Sequence, residues 1–539
     1  MDKKQTQYIW NALLAIALLF AVAFIYWVLG RNVNFDDEGF YMVPYVSDQY
    51  IELLPSQQYS FLLKWILPAE WISLFNLRLV RLFFTVASSL YLAIACYFYL
   101  LKHNVRINKA FLLLLVPLLS LSNFVFGPLA LSYNSQTHVS LSITMGGLLL
   151  AYSAKSRQAH LILSGVFLGL AYYAKFTSGI SAFLLLSFSI LLVKESWLDK
   201  SKKLIYLLIG VIASLWIFNH VYSFNDILSD GLSLSELSNA GYDLWNQIER
   251  PWRFFINSLK YLIAGGLIGL TFLFKKNKWT IGILTTALAT GLLIYERQSV
   301  IYAKGFPIYL LLFGITLVPT MVKNRKHLRR GSLQIHLMVL ILLIVCGVLG
   351  TNNLWMVSSN FFSLYLLLVT LFLAFKLRSK YLIFFVVLTC FVNTLYYTHL
   401  PYRSPDPKYA TVEVDNTRLG PVKISKKHAE IYHQFEGIVR DNELTNDDYL
   451  GILWKYPMIN FLFDIPSPAG IIWELEQIEL TRHNYFNRKD KGRQVHWIVI
   501  NEDSTRSPLS HVIELTRDTS FKVRKQYSFK KQEWFYISN

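Results

Sequence analysis

Up to about residue 399 the apolar positions of this chain fall in long continuous blocks, not in alternation and not in a one-sided stripe. The blocks span approximately 8–29, 79–101, 110–126, 137–154, 160–174, 178–193, 204–221, 255–274, 279–295, 305–322, 333–350, 357–375 and 381–398. At roughly 17–22 residues each, they match the length a helix needs to cross a ~30 Å hydrocarbon layer. Thirteen transmembrane helices are expected. Beyond residue 400 the pattern changes. Ser425–Glu443 carries a helical period, whereas Tyr449–Lys455, Val495–Ile500, Phe521–Phe529 and Glu533–Ile537 read as strands, the last two as a hairpin. The pattern predicts a polytopic α-helical membrane domain over 1–399. A Pro/Arg/Lys-rich linker, Pro401 to Lys408, then leads into a small α/β domain within 400–539.

The segments between the blocks orient the chain. With the N-terminus inside, alternate segments hold 22 of the 32 Lys and Arg residues found up to His399, among them Lys102, Arg106 and Lys109, Lys275, Lys276 and Lys278, and Lys376, Arg378 and Lys380. Every hairpin then obeys the positive-inside rule. An odd number of spans places the C-terminal 140 residues outside the cytoplasm. The first span is too long for a signal-peptide core and no small-residue cleavage site follows Gly30, so it reads as an uncleaved anchor. Composition agrees: of 539 residues 54% are hydrophobic and 16% charged, where a soluble protein carries about 25% charged. The formal net charge of +18 would suggest nucleic acid, but 400–539 holds 20 basic and 19 acidic residues. The basicity is a topology signal of the membrane part, and nucleic acid is not an expected partner. The three cysteines, Cys96, Cys346 and Cys390, all lie in spans, which leaves the outer domain without a disulfide framework. A bacterial inner membrane fits these features.

Two outer segments are long, about 30–78 and 222–254. The first contains Phe61–Phe75, an apolar stretch with Trp65 and Trp71 that suits a membrane interface. The second is acidic and reads equally as a mobile cover or as a solvated loop. Walker A, Gly-rich dinucleotide and His-Glu-x-x-His motifs are absent, as is a metal-diphosphate Asp-x-Asp. His428 and His433 are five apart, which does not bring both to one helix face.

The strongest chemical cluster is Asp36-Asp37-Glu38, three carboxylates directly after the first span, set among Phe35, Phe40, Tyr41 and Tyr45. A solvated acidic turn is the plain reading. Like charges this close raise one another's pKa, which suits a general base. A second set is cationic and lies at outer span ends, where topology requires no positive charge: Arg78, Arg81, Lys175, Arg250, Arg253, Arg297 and Lys304. Taken singly, each is more readily a snorkelling side chain. Together they mark a face where ionisable groups break the charge rule, a functional signal. A carboxylate facing cations at a lipid interface suggests sugar transfer from a lipid phosphate, the cations stabilising the departing phosphate. A carboxylate trio admits a divalent metal, although this mechanism requires none.

At these residues the sequence resembles a known group. Asp37-Glu38-Gly39 after span one, Arg78 and Arg81 opening span two, and Gly165-x-x-x-Gly169-Leu170-Ala171-x-x-x-Lys175-Phe176 in span five resemble GT-C glycosyltransferases. The pattern is most similar to lipid A aminoarabinose transferases and protein O-mannosyltransferases. The layout of about 13 spans and an outer α/β domain also resembles the former. The resemblance implies Asp37 as catalytic base, with Asp36 and Glu38 beside it, and Lys175 and Lys304 as holders of the lipid phosphate. It also implies a polyprenyl-phosphate-linked sugar donor and a glycan or glycolipid acceptor. Many members carry an acidic residue at the outer start of span four, where this chain reads Tyr133-Asn134-Ser135-Gln136-Thr137-His138. Tyr41, Tyr133, Asn134, His138, Asn352 and Asn353 are candidate contacts for sugar or acceptor. Gly165 and Gly169 are expected to permit close helix packing. A lipid flippase or transporter, a glycan polymerase or ligase, and a protein O-glycosyltransferase stay open as alternatives. Lys260 is the exception to spans otherwise largely free of charge.

Overall fold

The computed structural model describes residues 3–46, 66–105, 107–153, 157–220, 244–271, 294–323, 332–351, 355–377, 379–399, 405–453, 456–468, 494–501, 507–529 and 532–538, with 60, 63, 64, 223 and 291. The chain divides into two compact units. One comprises Met1–Tyr26, Leu82–Gly127 and Tyr133–His399; the other comprises Trp27–Arg81, Pro128–Ser132 and Leu400–Asn539. The second unit therefore joins the C-terminal region to the first long loop.

Helices in the order of the chain are α1 (Lys3–Leu29), α2 (Asp37–Met42), α3 (Leu74–Lys102), α4 (Lys109–Ser120), α5 (Tyr133–Ser153), α6 (Arg157–Ala174), α7 (Phe176–Leu192) and α8 (Trp197–Asn219). There follow α9 (Leu244–Thr271), α10 (Arg297–Tyr302), α11 (Phe306–Lys323), α12 (Ser332–Val348), α13 (Trp355–Ser358), α14 (Ser363–Lys376) and α15 (Lys380–Thr398). Twelve of the thirteen expected spans coincide with these; the ninth, 279–295, lies mostly outside the described residues. Six helical stretches among the described residues are long and apolar enough to cross a membrane: Gln7–Leu29, Leu74–Lys102, Trp197–Asn219, Glu249–Thr271, Trp355–Lys376 and Tyr381–Thr398. Four shorter apolar helices join them. One reason for the shortfall from thirteen is visible in α5, whose Ser135, Thr137, His138, Ser140, Ser142 and Thr144 are fully buried. That helix faces protein, so its residues need not be apolar. Tyr365 of α14 donates to the His138 carbonyl at 3.3 Å and shares a 3.1 Å bond with Ser142 Oγ.

Small residues set the closest approach in the membrane unit. A Cβ on Gly165 would stand 2.1 Å from the Leu207 carbonyl oxygen, and one on Gly210 2.1 Å from that of Ile162. Gly169 likewise faces Ser214. The α6–α8 contact is thus backbone against backbone, as the small-residue spacing predicts.

In the second unit, α16 (Lys426–Asp441) begins at Ser425, whose Oγ accepts from the His428 N–H at 3.3 Å. Strands β1 (Ala410–Val412) and β2 (Ile424–Ser425) pair antiparallel. A four-stranded sheet is built from β3 (Tyr449–Leu453), β4 (Val495–Asn501), β5 (Lys522–Phe529) and β6 (Gln532–Ser538) in the order β3-β4-β6-β5, with β3 and β4 parallel. The expected hairpin is β5–β6. Along the chain α17 (Met458–Leu462) lies between β3 and β4, and α18 (Pro508–Thr516) between β4 and β5. Trp497, Val499, Val512, Leu515, Phe521 and Ile537 form the core under α18. The first loop is stitched into this unit by backbone bonds: Asn32 N–H donates to Lys423 O at 2.7 Å, Lys423 N–H to Gly30 O at 3.0 Å, and Leu74 N–H to Arg418 O at 2.7 Å.

Replacing Gly165 by Val is expected to separate α6 from α8 and to lower the thermal unfolding midpoint in detergent. The loss corresponds to roughly 1–3 kcal/mol of overpacking, and an unchanged midpoint would contradict the close contact.

Candidate functional site

The carboxylate cluster belongs to the second unit. Asn34 starts it: its Oδ1 accepts the backbone N–H groups of Asp36 and Asp37, each at 3.0 Å. This turns the chain into α2 and puts Asp37 and Glu38 in the first helical turn, where the helix dipole favours negative charge. Asp37 and Glu38 are 5% and 1% exposed. Glu38 is held by a two-pronged pair: Arg78 Nε donates to Oε1 at 2.9 Å and Nη2 to Oε2 at 2.6 Å. The Ala130 N–H adds a third bond to Oε1 at 2.9 Å. The rest of the guanidinium donates to the carbonyls of Leu29 (2.6 Å), Arg31 (3.3 Å) and Asn32 (2.7 Å). These bonds engage all five N–H groups of Arg78, which leaves none for a phosphate. Arg81 is fully buried as well and donates to the Pro128 carbonyl. Tyr41 is buried on α2, edge-on to Phe40 at 5.0 Å. A Cβ on Gly39 would sit 2.2 Å from the Met458 nitrogen, so the glycine of the Asp-Glu-Gly motif is a requirement of packing against α17.

Phe35, next to the trio, meets the rings of His428 (5.1 Å) and Tyr456 (6.0 Å). Burial pushes the His428 imidazole down to about 4. His433 instead pairs with Glu436 at 3.0 Å on an exposed surface. Among the described residues no group of three or more His, Cys, Asp or Glu side chains is placed to hold a metal ion. Both Glu38 oxygens are occupied, so the trio does not offer three free carboxylates to one.

The membrane unit gathers a cationic group. Lys175 occupies the break between α6 and α7 and is 6% exposed. Its ammonium donates to Asn134 Oδ1 at 3.2 Å and to Gly347 O at 3.0 Å, and lies 5.3 Å from the Tyr133 ring centroid. Gly347 is in the last turn of α12, where carbonyls lack helical partners, so a cation there is doubly favoured. Both acceptors are neutral oxygens. Burial lowers the lysine to about 7, and no acidic side chain pairs with it among the described residues. Arg250 joins the same turn by donating to Thr351 O at 2.9 Å, and Thr177 Oγ1 donates to Leu349 O at 2.8 Å. Sequence candidates Lys175, Tyr133, Asn134 and Arg250 therefore converge on the end of α12. The turn itself, Gly347 to Thr351, carries no charged side chain and gave no sequence signal. His138 lies one turn further along α5, stacked on Tyr365 at 5.9 Å. Asn352 and Asn353 fall outside the described residues, as does most of the 222–254 loop.

The other cations are placed differently. Lys304 adopts a left-handed conformation (φ 51°) before Gly305 (φ 79°), and its ammonium lies 5.5 Å from the Tyr397 ring. Asn393 fixes this turn by donating to Lys304 O at 3.2 Å, and burial lowers the Lys304 pKa. Arg297 is exposed. Arg253 is exposed in an i,i+4 pair with Glu249 at 2.6 Å. Lys260 pairs with Glu296 at 2.6 Å.

No family model matches the chain, and no curated protein matches it. Among solved structures it is similar to the Archaeoglobus fulgidus oligosaccharyltransferase in complex with Zn and sulfate, at 12% identity over 95% of this chain and 72% of that one, with a TM-score of 0.47. It is also similar to ArnT from Cupriavidus metallidurans bound to undecaprenyl phosphate, at 11% identity over 99% and 98% of the two chains, with a TM-score of 0.39. At these TM-scores the structural likeness is distant.

Removing either partner of the Arg78–Glu38 pair is expected to cost about 3–5 kcal/mol, because the other charge is left buried. Glu38→Gln and Arg78→Gln should both lower the unfolding midpoint well beyond Arg253→Gln, whose exposed pair is worth about 0–1 kcal/mol. Equal midpoints would contradict the pair's structural role.

Proposed function

We propose that this protein is an integral-membrane glycosyltransferase that moves a sugar from a polyprenyl-phosphate carrier to a surface glycan acceptor, of the O-antigen or lipopolysaccharide type. The observation that carries this reading is Lys175, a buried ammonium held by two neutral oxygens and a ring, with Arg250 on the same turn. Such a group is stabilised by an anion, and a phosphate monoester with its lipid tail in the bilayer supplies one. The motif resemblance around Asp37 and Lys175 supports the same reading. The charge asymmetry of the loops supports an inner-membrane location with the C-terminal region outside the cytoplasm.

In the proposed reaction Asp37 accepts the proton of the acceptor hydroxyl as that oxygen attacks the anomeric carbon. The bond from that carbon to the phosphate oxygen breaks in the same displacement, and configuration inverts. The leaving group departs as the lipid phosphate, its charge stabilised by Lys175 with Arg250 on the same turn. Glu38 and Arg78 are positioning residues that hold the turn bearing Asp37. Tyr133 and Asn134 orient Lys175, leaving its remaining N–H for the donor.

Asp37→Asn is expected to reduce transfer by about 10²–10⁴-fold with the unfolding midpoint retained. Mass spectrometry of surface glycans from cells carrying wild type, a deletion or Asp37→Asn would show the same missing sugar in the last two; a normal glycan profile in the point variant would remove Asp37 as base. A second prediction concerns pH. Lys175 is charged below about 7, so donor binding is strongest there. Above it the free enzyme must take up a proton to bind, and donor KM should rise about tenfold per pH unit. Lys175→Arg stays charged and should flatten that profile. A wild-type KM that is constant from pH 6 to 9 would remove Lys175 from the phosphate site.

A further inference from the structure

Away from these clusters, at the end of the bundle that bears the basic loops, α3, α4, α5, α12 and α14 enclose an apolar pocket of about 60 Å³. That is room for a segment of several methylene groups. Its wall includes Cys96, Leu115, Leu340, Leu371 and Phe375, and two polar rings, Tyr99 and His336. The imidazole is 1% exposed. Its Nδ1 meets the Tyr99 hydroxyl at 2.6 Å, while Nε2 has no hydrogen-bond partner among the described residues. With the phenol donating to Nδ1, the neutral ring carries its proton on Nε2, an unsatisfied donor beside an apolar space. A buried donor of this kind is destabilising unless an acceptor arrives.

The layers around this atom have an order. Lys102 and Lys376 end α3 and α14. Lys102 donates to the Tyr152 carbonyl and Lys376 lies 5.7 Å from the Phe372 ring; neither has an acidic partner among the described residues. Both stand close enough to His103 that, after burial, they are what lowers its pKa. His336 is four residues into α12, about 6 Å from its start, and Leu340 about 12 Å. Leu368 and Leu371 lie similarly deep in α14. From the helix ends inward the chain thus presents two cations, one hydrogen-bond donor, then hydrocarbon.

We infer that this pocket binds an anionic glycerophospholipid of the adjacent leaflet, its phosphate at Lys102 and Lys376, an ester carbonyl on His336 Nε2 and one acyl chain along Leu340 and Leu371. Charge complementarity selects an anionic headgroup over a zwitterionic one. The lone donor selects an ester-linked lipid over a polyprenyl phosphate, whose tail has no acceptor at that depth. The site is independent of the transferase reading.

The test uses the full chain in phosphatidylcholine nanodiscs doped with phosphatidylglycerol or phosphatidylcholine carrying a photoreactive acyl chain. Peptides from α12 and α14 should be labelled about tenfold more by the phosphatidylglycerol probe, the preference two lysines give an anionic headgroup. Lys102→Gln with Lys376→Gln should abolish the preference, and His336→Phe should reduce labelling by both probes. Leu340→Trp should empty the pocket of label while lipid-facing α1 remains labelled; Leu371→Phe serves if that variant does not purify as a folded protein. Equal labelling by both probes, label unaffected by either filling variant, or displacement of phosphatidylglycerol by an equimolar polyprenyl phosphate would overturn the assignment.

Discussion

The second unit depends on one ion pair that has no access to water. Arg78 and Glu38 are each 1% exposed, and taking two such charges out of water costs several kcal/mol apiece. The cost is offset only because every hydrogen-bonding group of the pair is used. The guanidinium fork closes on the carboxylate and on three carbonyls of the chain leaving α1, while the Ala130 N–H completes the carboxylate. Those carbonyls belong to Leu29, Arg31 and Asn32, so the pair also fixes the backbone that leads to Asp37. The orientation of the acidic turn is set by Arg78, not by the turn alone.

Lys175 shows the opposite balance. It is nearly as buried as Arg78, yet its partners are an amide oxygen, a carbonyl and an aromatic face. Neutral dipoles solvate an ammonium but do not cancel its charge. Of these two buried cations, Arg78 is matched by Glu38, whereas Lys175 has no acidic partner among the described residues. This difference, more than exposure or sequence position, separates a cation that builds the fold from one that can receive an anionic ligand.

Much of the architecture was legible because membrane helices announce themselves by continuous hydrophobicity. The C-terminal strands were legible because alternation and turn residues bracket them closely: Tyr449–Leu453, Val495–Asn501 and the β5–β6 hairpin fall within a residue or two of expectation. What sequence could not supply was pairing. Arg78 and Glu38 looked like independent members of a cationic and an acidic set, since forty positions separate them. A single Arg and a single Glu at the ends of apolar segments were nonetheless a hint, because each needs a partner there. The Gly347 and Ala130 main-chain groups carry no side-chain signature at all. Asn34 did have one, an Asx residue ahead of an acidic helix start.

The backbone bonds between the first loop and the C-terminal region bear on how the protein is made. Asn32 and Gly30 find their partner in Lys423, and Leu74 finds its own in Arg418. Ribosomes reach those partners some 350–390 residues later, roughly 20–80 s at ~5–20 residues per second. Throughout that interval these main-chain groups lack the partners they have in the finished fold. The backbone on either side of the acidic turn can therefore be tied down only at the end of synthesis, and a chain terminated near residue 400 never gains those bonds.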